Sequence, residues 1–293
     1  MSKLAILMRT KNSDWVIAQT LTALYSQIEV DFQLYIVDSG STDSTLEICE
    51  RFSYKPIKMK GNTYVPGPVL NAAISQITEE IIVLLNSDSV LLHPKSLKYL
   101  VAPLVENEQN IIATVGRQLP RHDAEPWVVK DYATCFPEAD EMPNFMTMSF
   151  PLSAFKRSIW EQEKFYEKSW GSEDTEWGKR IVDKKYGSIK YVAKAITMHS
   201  HNYNNNELHN RKFIEGEADY FIYQTKPSLI KIALGYCKRV LSEIFYYVSH
   251  GHFFSILAVF NRNFFYFLGY YRGLKSAKNR EKKNISAVIH KPY

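Results

Sequence analysis

The residues best suited to chemistry fall at a few points of the chain. Asp88 stands just after the apolar run Glu80–Leu85, where a carboxylate can reach a divalent cation. His199 and His201 end another candidate strand, and their i, i+2 spacing puts both imidazoles on one face. Carboxylate plus imidazole is a divalent-metal ligand set, so one of the two histidines is expected to join Asp88. Glu173 and Asp174 are adjacent acids flanked by Gly171 and Trp177. Partial desolvation there would raise a carboxylate pKa toward the range of a general base. A helix start with Ser172 as its cap would also suit these acids, through the helix dipole. Asp38 and Asp43 could each simply cap a turn; Asp38, straight off a strand, is the better candidate to hold a base or ribose.

A cation that neutralises a diphosphate leaving group, a base that deprotonates an attacking hydroxyl, and acids that hold a nucleoside make one set. Together they suit transfer from a nucleotide-activated donor.

The elements that must position these groups alternate. Leu4–Met8 reads as a buried strand, followed by a helix over Asp14–Ser26 with Ser13 as its cap. Phe32–Val37 is a second strand, and the next helix runs to about Phe52. A third strand lies near Pro56–Lys60, and a helix spans about Leu70–Gln76. Glu80–Leu85 is apolar almost throughout, as a central parallel strand must be, and Pro94 opens another helix. Four strand–helix alternations imply an α/β, Rossmann-like, mostly parallel sheet with flanking helices. Ligands bind beyond the C-terminal strand ends in such sheets. Three polar clusters fall there: Arg9-Thr-Lys-Asn12, Asp38–Asp43 and Asn86–Asp88. Ile189–Ile196 is a further strand candidate leading to His199.

The charge is uneven. From Pro227 onward there are 11 Lys/Arg against 2 Asp/Glu, which leaves 25 against 29 in the body. Leu229–Ser249 has helical periodicity, and His252–Tyr271 is rich in Phe and Tyr with Asn261-Arg-Asn263 at its centre. We therefore expect a domain over 1–225 and a basic, aromatic helical tail over 226–293 lying on a membrane surface, the other reading being a helix pair packed on the domain. Cys49, Cys135 and Cys237 are far apart, which points to a reducing compartment. The opening apolar run, Leu4–Met8, is too short for a signal peptide, so a cytoplasmic protein on the inner face of the cell membrane is expected.

Six motifs then occur in a telling order. They are Arg9–Asn12, Val37–Thr45, Pro66-Gly67 with Asn71, Asn86-Ser-Asp88, Glu173–Trp177 and His199–Tyr203. The order resembles family 2 glycosyltransferases, and the bacterial rhamnosyltransferase-like members that build surface polysaccharides in particular. Gly116-Arg-Gln118 and Glu215-Gly-Glu-Ala218 also look like that subgroup, and the likeness covers about residues 3–225. It implies a GT-A fold, an inverting enzyme and a UDP- or dTDP-sugar donor, with Mg²⁺ or Mn²⁺ as cofactor. The acceptor would be a saccharide or lipid-linked saccharide. By the same resemblance Asp174 is the base, with Glu173 in support. The donor would be held by Arg9, Thr10, Asn12, Asp38, Ser39, Gly40, Asp43, Gly67, Asn71, Asn86, Ser87 and Arg117. Asp88, His199 and His201 would be the metal set, and Trp170, Gly171 and Trp177 would lie toward the acceptor. The chain departs from the family at the metal motif, where the usual Asp-x-Asp is Asn86-Ser-Asp88.

Two other readings fit less well. A nucleotidyltransferase acting on sugar phosphates would want a glycine-rich phosphate loop, and Met8–Asp14 contains no glycine. A nucleic-acid binder would present a solvated basic face, whereas the basic residues of the tail are interleaved with long apolar runs. No nucleic-acid partner is expected.

Overall fold

The computed structural model describes residues 3–57, 65–141, 143, 147–168 and 171–283. Its first half alternates as the apolar pattern requires: β1 (Leu4–Thr10), α1 (Ile17–Tyr25), β2 (Phe32–Asp38), α2 (Thr45–Cys49), β3 (Lys55–Pro56), α3 (Pro66–Ile74) and β4 (Ile81–Asn86). Next come β5 (Val90–Leu91), α4 (Ser96–Val105), β6 (Ile111–Leu119), α5 (Pro126–Cys135), β7 (Leu152–Lys156) and α6 (Arg157–Gln162). The order closes with α7 (Glu173–Asp183), β8 (Ser188–Met198), α8 (Asn205–Tyr223), α9 (Leu229–Ser249) and α10 (Ile256–Lys282). The expected third strand is cut to Lys55–Pro56, and residues 58–60 lie outside the described residues. α1 begins later than expected, at Ile17, with Val16 at its N-cap and no side-chain cap; the Ser13 carbonyl accepts the Val16 and Ile17 N–H groups in the turn that precedes it.

The strands form one eight-stranded sheet in the order β3-β2-β1-β4-β7-β6-β8-β5. β3, β2, β1 and β4 are parallel to one another, as are β6 and β8. β7 runs against both β4 and β6, and β5 runs against β8. The mostly parallel α/β expectation therefore holds, and the reversed β7 joins its two parallel parts. Both faces of the central strands are buried. Ala5 and Leu7 of β1 pack with Ile82 and Leu84 of β4 on one side, while Leu4, Ile6 and Met8 pack with Val83 and Leu85 on the other. Each such aliphatic side chain contributes ~1.5–3 kcal/mol on leaving water. That two-sided burial is why these strands read as unbroken apolar runs.

The C-terminal helices lie on the rest of the chain. α10 runs closely along α8: a Cβ on Gly216 would sit 2.3 Å from the Tyr270 carbonyl oxygen, and one on Gly273 would sit 2.1 Å from that of Phe213. α9 joins α5 through a cluster that includes Trp127, Val128, Val240 and Tyr247. The charged centre of the tail turns inward. Arg262 and Asn263 are buried, and both hydrogen-bond to Glu243 on α9. Among the described residues, no helix is long and apolar enough to cross a membrane.

Candidate active site

The register of the parallel strands brings three sequence clusters to one edge. Thr10 pairs with Asp38, and Arg9 pairs with Asn86. Apolar residues end there because the sheet emerges from its helical layers, and of the polar residues in these clusters Arg9 and Asn86 line a cavity. The Thr10 hydroxyl is buried with no hydrogen-bond partner among the described residues. Asn12 adopts φ +48°, and its side chain accepts the Thr42 N–H at 2.8 Å, which laces the first loop to the second. Asp38 holds that second loop. One of its oxygens accepts the Gly40 and Ser41 N–H groups at 2.9 Å each, and the other accepts the Ser41 hydroxyl. Gly40 takes φ +87°, a left-handed conformation that costs a side-chain-bearing residue. Ser39 donates its N–H to the Thr10 carbonyl, and Asp43 accepts the N–H groups of Asp14 and Thr45. Ser87 is buried, with its hydroxyl 2.8 Å from that of Ser13.

Asp88 follows this edge and meets the end of β8. The His201 Nε2 lies 3.3 Å from its carboxylate and the His199 Nε2 lies 3.7 Å away. One ligand atom from each of the three lies within 4.8 Å of the others. His199 Nδ1 is 2.9 Å from the Gln118 side-chain oxygen, an arrangement that turns Nε2 toward Asp88. Burial lowers the pKa of both imidazoles, that of His199 to about 4, so both are neutral near pH 7 and keep a lone pair for a metal. One carboxylate and two neutral imidazoles fit a divalent ion.

A cavity of about 450 Å³ opens over this edge, lined by Arg9, Asn86, Gly171, Glu173, Asp174, His199 and His201. Glu173 and Asp174 reach it because α7 begins there. Ser172 precedes α7 with φ +57° and no side-chain cap, so the expected Ser172 cap is absent and the turn itself aims the two acids. Glu173 accepts a hydrogen bond from Arg9 at 2.8 Å. Asp174 accepts its neighbour's N–H, from Thr175, at 2.7 Å. Burial and the Glu173 charge push the Asp174 carboxyl up to about 6. Asp174 also lines a second cavity, of about 1020 Å³, which includes Thr147, Lys179, Asp183, Asp219 and Tyr223. It thus stands where the two spaces meet.

Several expected residues lie elsewhere. The Asn71 side chain is spent inside the protein, donating to the Phe165 carbonyl and accepting from the Phe165 N–H and Trp160 Nε1. Gly67 serves packing: a Cβ there would lie 2.1 Å from the Tyr166 carbonyl oxygen. Trp177 is fully buried in the core against Phe155 and Phe165, with Nε1 donating to the Glu163 carbonyl. Arg117 pairs with Glu138 and lines neither cavity. Asn71 and Trp177 are thus committed to the core, Gly67 to a close backbone contact and Arg117 to an ion pair, and none of the four lines either cavity. Trp170 lies outside the described residues. The structure adds Arg211 and Lys212 of α8 and Tyr266 of α10 to the lining. Arg211 falls two turns after the capping box of Asn204 and Glu207, a signal that places it on α8 but does not point it at the cavity.

The profile of glycosyl transferase family 2 matches residues 5–162, more than half of the chain. The protein belongs to glycosyl transferase family 2. The O-antigen chain rhamnosyltransferase WbaN of Salmonella anatum is 30% identical over 208 residues, which is 66% of this chain and 64% of that protein. The chain thus matches somewhat under two thirds of that relative's length. The O-antigen chain rhamnosyltransferase RfbN of Salmonella typhimurium is 27% identical over 229 residues, covering 73% of this chain and 71% of that one. Among solved structures, the mannosyltransferase PcManGT from Pyrobaculum calidifontis, in complex with GDP-Man and Mn²⁺, shares the fold. Its TM-score is 0.58 at 18% identity, over 74% of this chain and 61% of that chain. The Staphylococcus aureus protein TarS, solved as residues 1–349 with UDP, gives a TM-score of 0.54 at 20% identity, over 73% and 64% of the two chains.

Proposed function

We propose that this family 2 member is an inverting glycosyltransferase of surface-polysaccharide synthesis. It would move a sugar from a UDP- or dTDP-linked donor to a saccharide or lipid-linked saccharide, on the inner membrane face. One observation carries this reading: Asp174, its carboxyl raised toward neutral, lines both the cavity walled by His199 and His201 and the larger cavity beyond. The donor occupies the first space, with Thr10 and Asp38 toward the base and Asn86 toward the diphosphate. The acceptor enters from the second. Asp174 takes the proton of the acceptor hydroxyl as that oxygen attacks the anomeric carbon from the side opposite the leaving diphosphate. Glu173, held by Arg9, keeps the Asp174 proton affinity high. Arg211 and Lys212 bring positive charge to the side of the departing diphosphate.

Asp88 with His199 and His201 would hold Mn²⁺ or Mg²⁺, and a bound cation would neutralise charge developing on the diphosphate. The two imidazoles favour Mn²⁺, since Mg²⁺ prefers oxygen ligands. The 1–225 segment supplies this chemistry, and the 226–293 segment completes the wall through Tyr266. Nucleotide release from a UDP- or dTDP-sugar panel in Mn²⁺ and in Mg²⁺ tests the reading. Turnover confined to sugar-1-phosphates and free nucleotides would favour a nucleotidyltransferase instead.

A further inference from the structure

Helix α9 is apolar on two sides. Val240 and Tyr247 face the protein, whereas Ile230, Leu234, Leu241, Phe245 and Val248 are 49–77% exposed. These five recur along one stripe of the helix at steps of three, four or seven residues, the spacing of a face built to be covered. The turn into α10 continues it. Phe254 is fully exposed, Leu257 is 85% exposed, and Phe260 and Phe264 are each about half exposed. Exposed apolar side chains in such a run mark a contact surface.

The charge carried by the same two helices says what covers it. From Pro227 onward the exposed charges among the described residues are Lys231, Lys238, Arg272, Lys275, Lys278, Lys282 and Lys283, against Glu281 alone. The other acid, Glu243, is buried with Arg262. In a second copy meeting the same face, these lysines would oppose each other. Anionic headgroups complement them, and Phe and Leu can enter the acyl boundary.

We propose that the α9 stripe and the Phe254–Phe264 segment form a monotopic docking surface for an anionic bilayer, while the second half of α10 is bound to α8. The assignment sharpens the membrane-face reading above and rests on it for its purpose. α10 then links lipid to chemistry directly, because Tyr266 lines the active-site cavity two residues after exposed Phe264. A lipid-linked acceptor held at the surface would have its saccharide beside the cleft.

Flotation of the full chain with phosphatidylglycerol–phosphatidylethanolamine vesicles, compared with phosphatidylcholine vesicles, tests this. The wild type should float with the anionic vesicles, less so at high salt. The L241S/F245S/F254S/L257S variant should bind at least about tenfold more weakly, with unchanged melting temperature and unchanged donor-dependent nucleotide release. K231E/K238E should lose the preference for anionic lipid. A wild type that stays unbound, a quadruple variant that floats equally, or a wild-type dimer that this variant turns into monomers would overturn the proposal. A wild type that floats with anionic vesicles but releases no nucleotide from any donor would instead count against the transferase reading alone.

Discussion

Arg9 and Glu173 meet at 2.8 Å, side chain to side chain, across 164 residues of sequence. The contact ties the end of β1 to the start of α7 and joins the strand-end edge to the two acids proposed for catalysis. It also gives the adjacent carboxylates different tasks. Glu173 is engaged by a guanidinium, while Asp174 lines both cavities, its pKa raised by burial and by the Glu173 charge. Environments that differ between neighbouring acids are how one fold assigns separate roles to them.

Asp174→Asn should lower kcat by about 10²–10⁴-fold, the range of a general base. Donor affinity, measured by calorimetry with the nucleotide-sugar, should stay within about threefold. A variant that keeps wild-type turnover would remove Asp174 from the mechanism.

The pH profile should follow the same residue. In the proposed mechanism the carboxylate is the working form, and burial with the Glu173 charge raises its pKa to about 6, so kcat should climb as pH rises through that value and level off above it. Glu173→Gln removes a neighbouring negative charge and should move the limb to lower pH. A limb that shifts upward in that variant would contradict the coupling.

Chelation should stop transfer, and Mn²⁺ should restore it at lower concentration than Mg²⁺. Gln118→Ala leaves all three proposed ligands in place but removes the group that turns His199. It should weaken metal affinity about 10–100-fold, read from activation curves. Unchanged activation would mean that His199 lies outside the metal set.

The buried Glu243–Arg262 pair gives a stability test. Glu243→Ala leaves Arg262 enclosed without this partner and should cost about 3–5 kcal/mol in urea unfolding. The double change E243L/R262M should cost less than the single one. Equal losses would show that the pair contributes by shape alone.

Much of the polar strand-end edge was legible because apolar runs stop abruptly at Arg9, Asp38 and Asn86, and parallel register does the rest. The histidines were legible from i, i+2 spacing at a strand end. Other features depend on tertiary contacts that no local pattern carries. The reversed direction of β7 is set by its partners, β4 and β6. Asn71 and Trp177 sit in suggestive motifs, but their side chains turn into the core. Arg117 drew attention in the Gly116-Arg-Gln118 motif, while it is Gln118 that touches His199. Arg262 looked like a break in an apolar segment because its partner, Glu243, lies one helix earlier.

The most direct test of the central claim is nucleotide release from UDP- and dTDP-sugars with Mn²⁺, comparing wild type and Asp174→Asn with and without a saccharide acceptor. The account predicts that one donor class gives acceptor-stimulated release by the wild type, that chelator abolishes it, and that the variant loses it while still binding donor. Release unaffected by the Asp174 change, or no release from any nucleotide-sugar by a folded protein with a lipid-linked acceptor supplied, would contradict it.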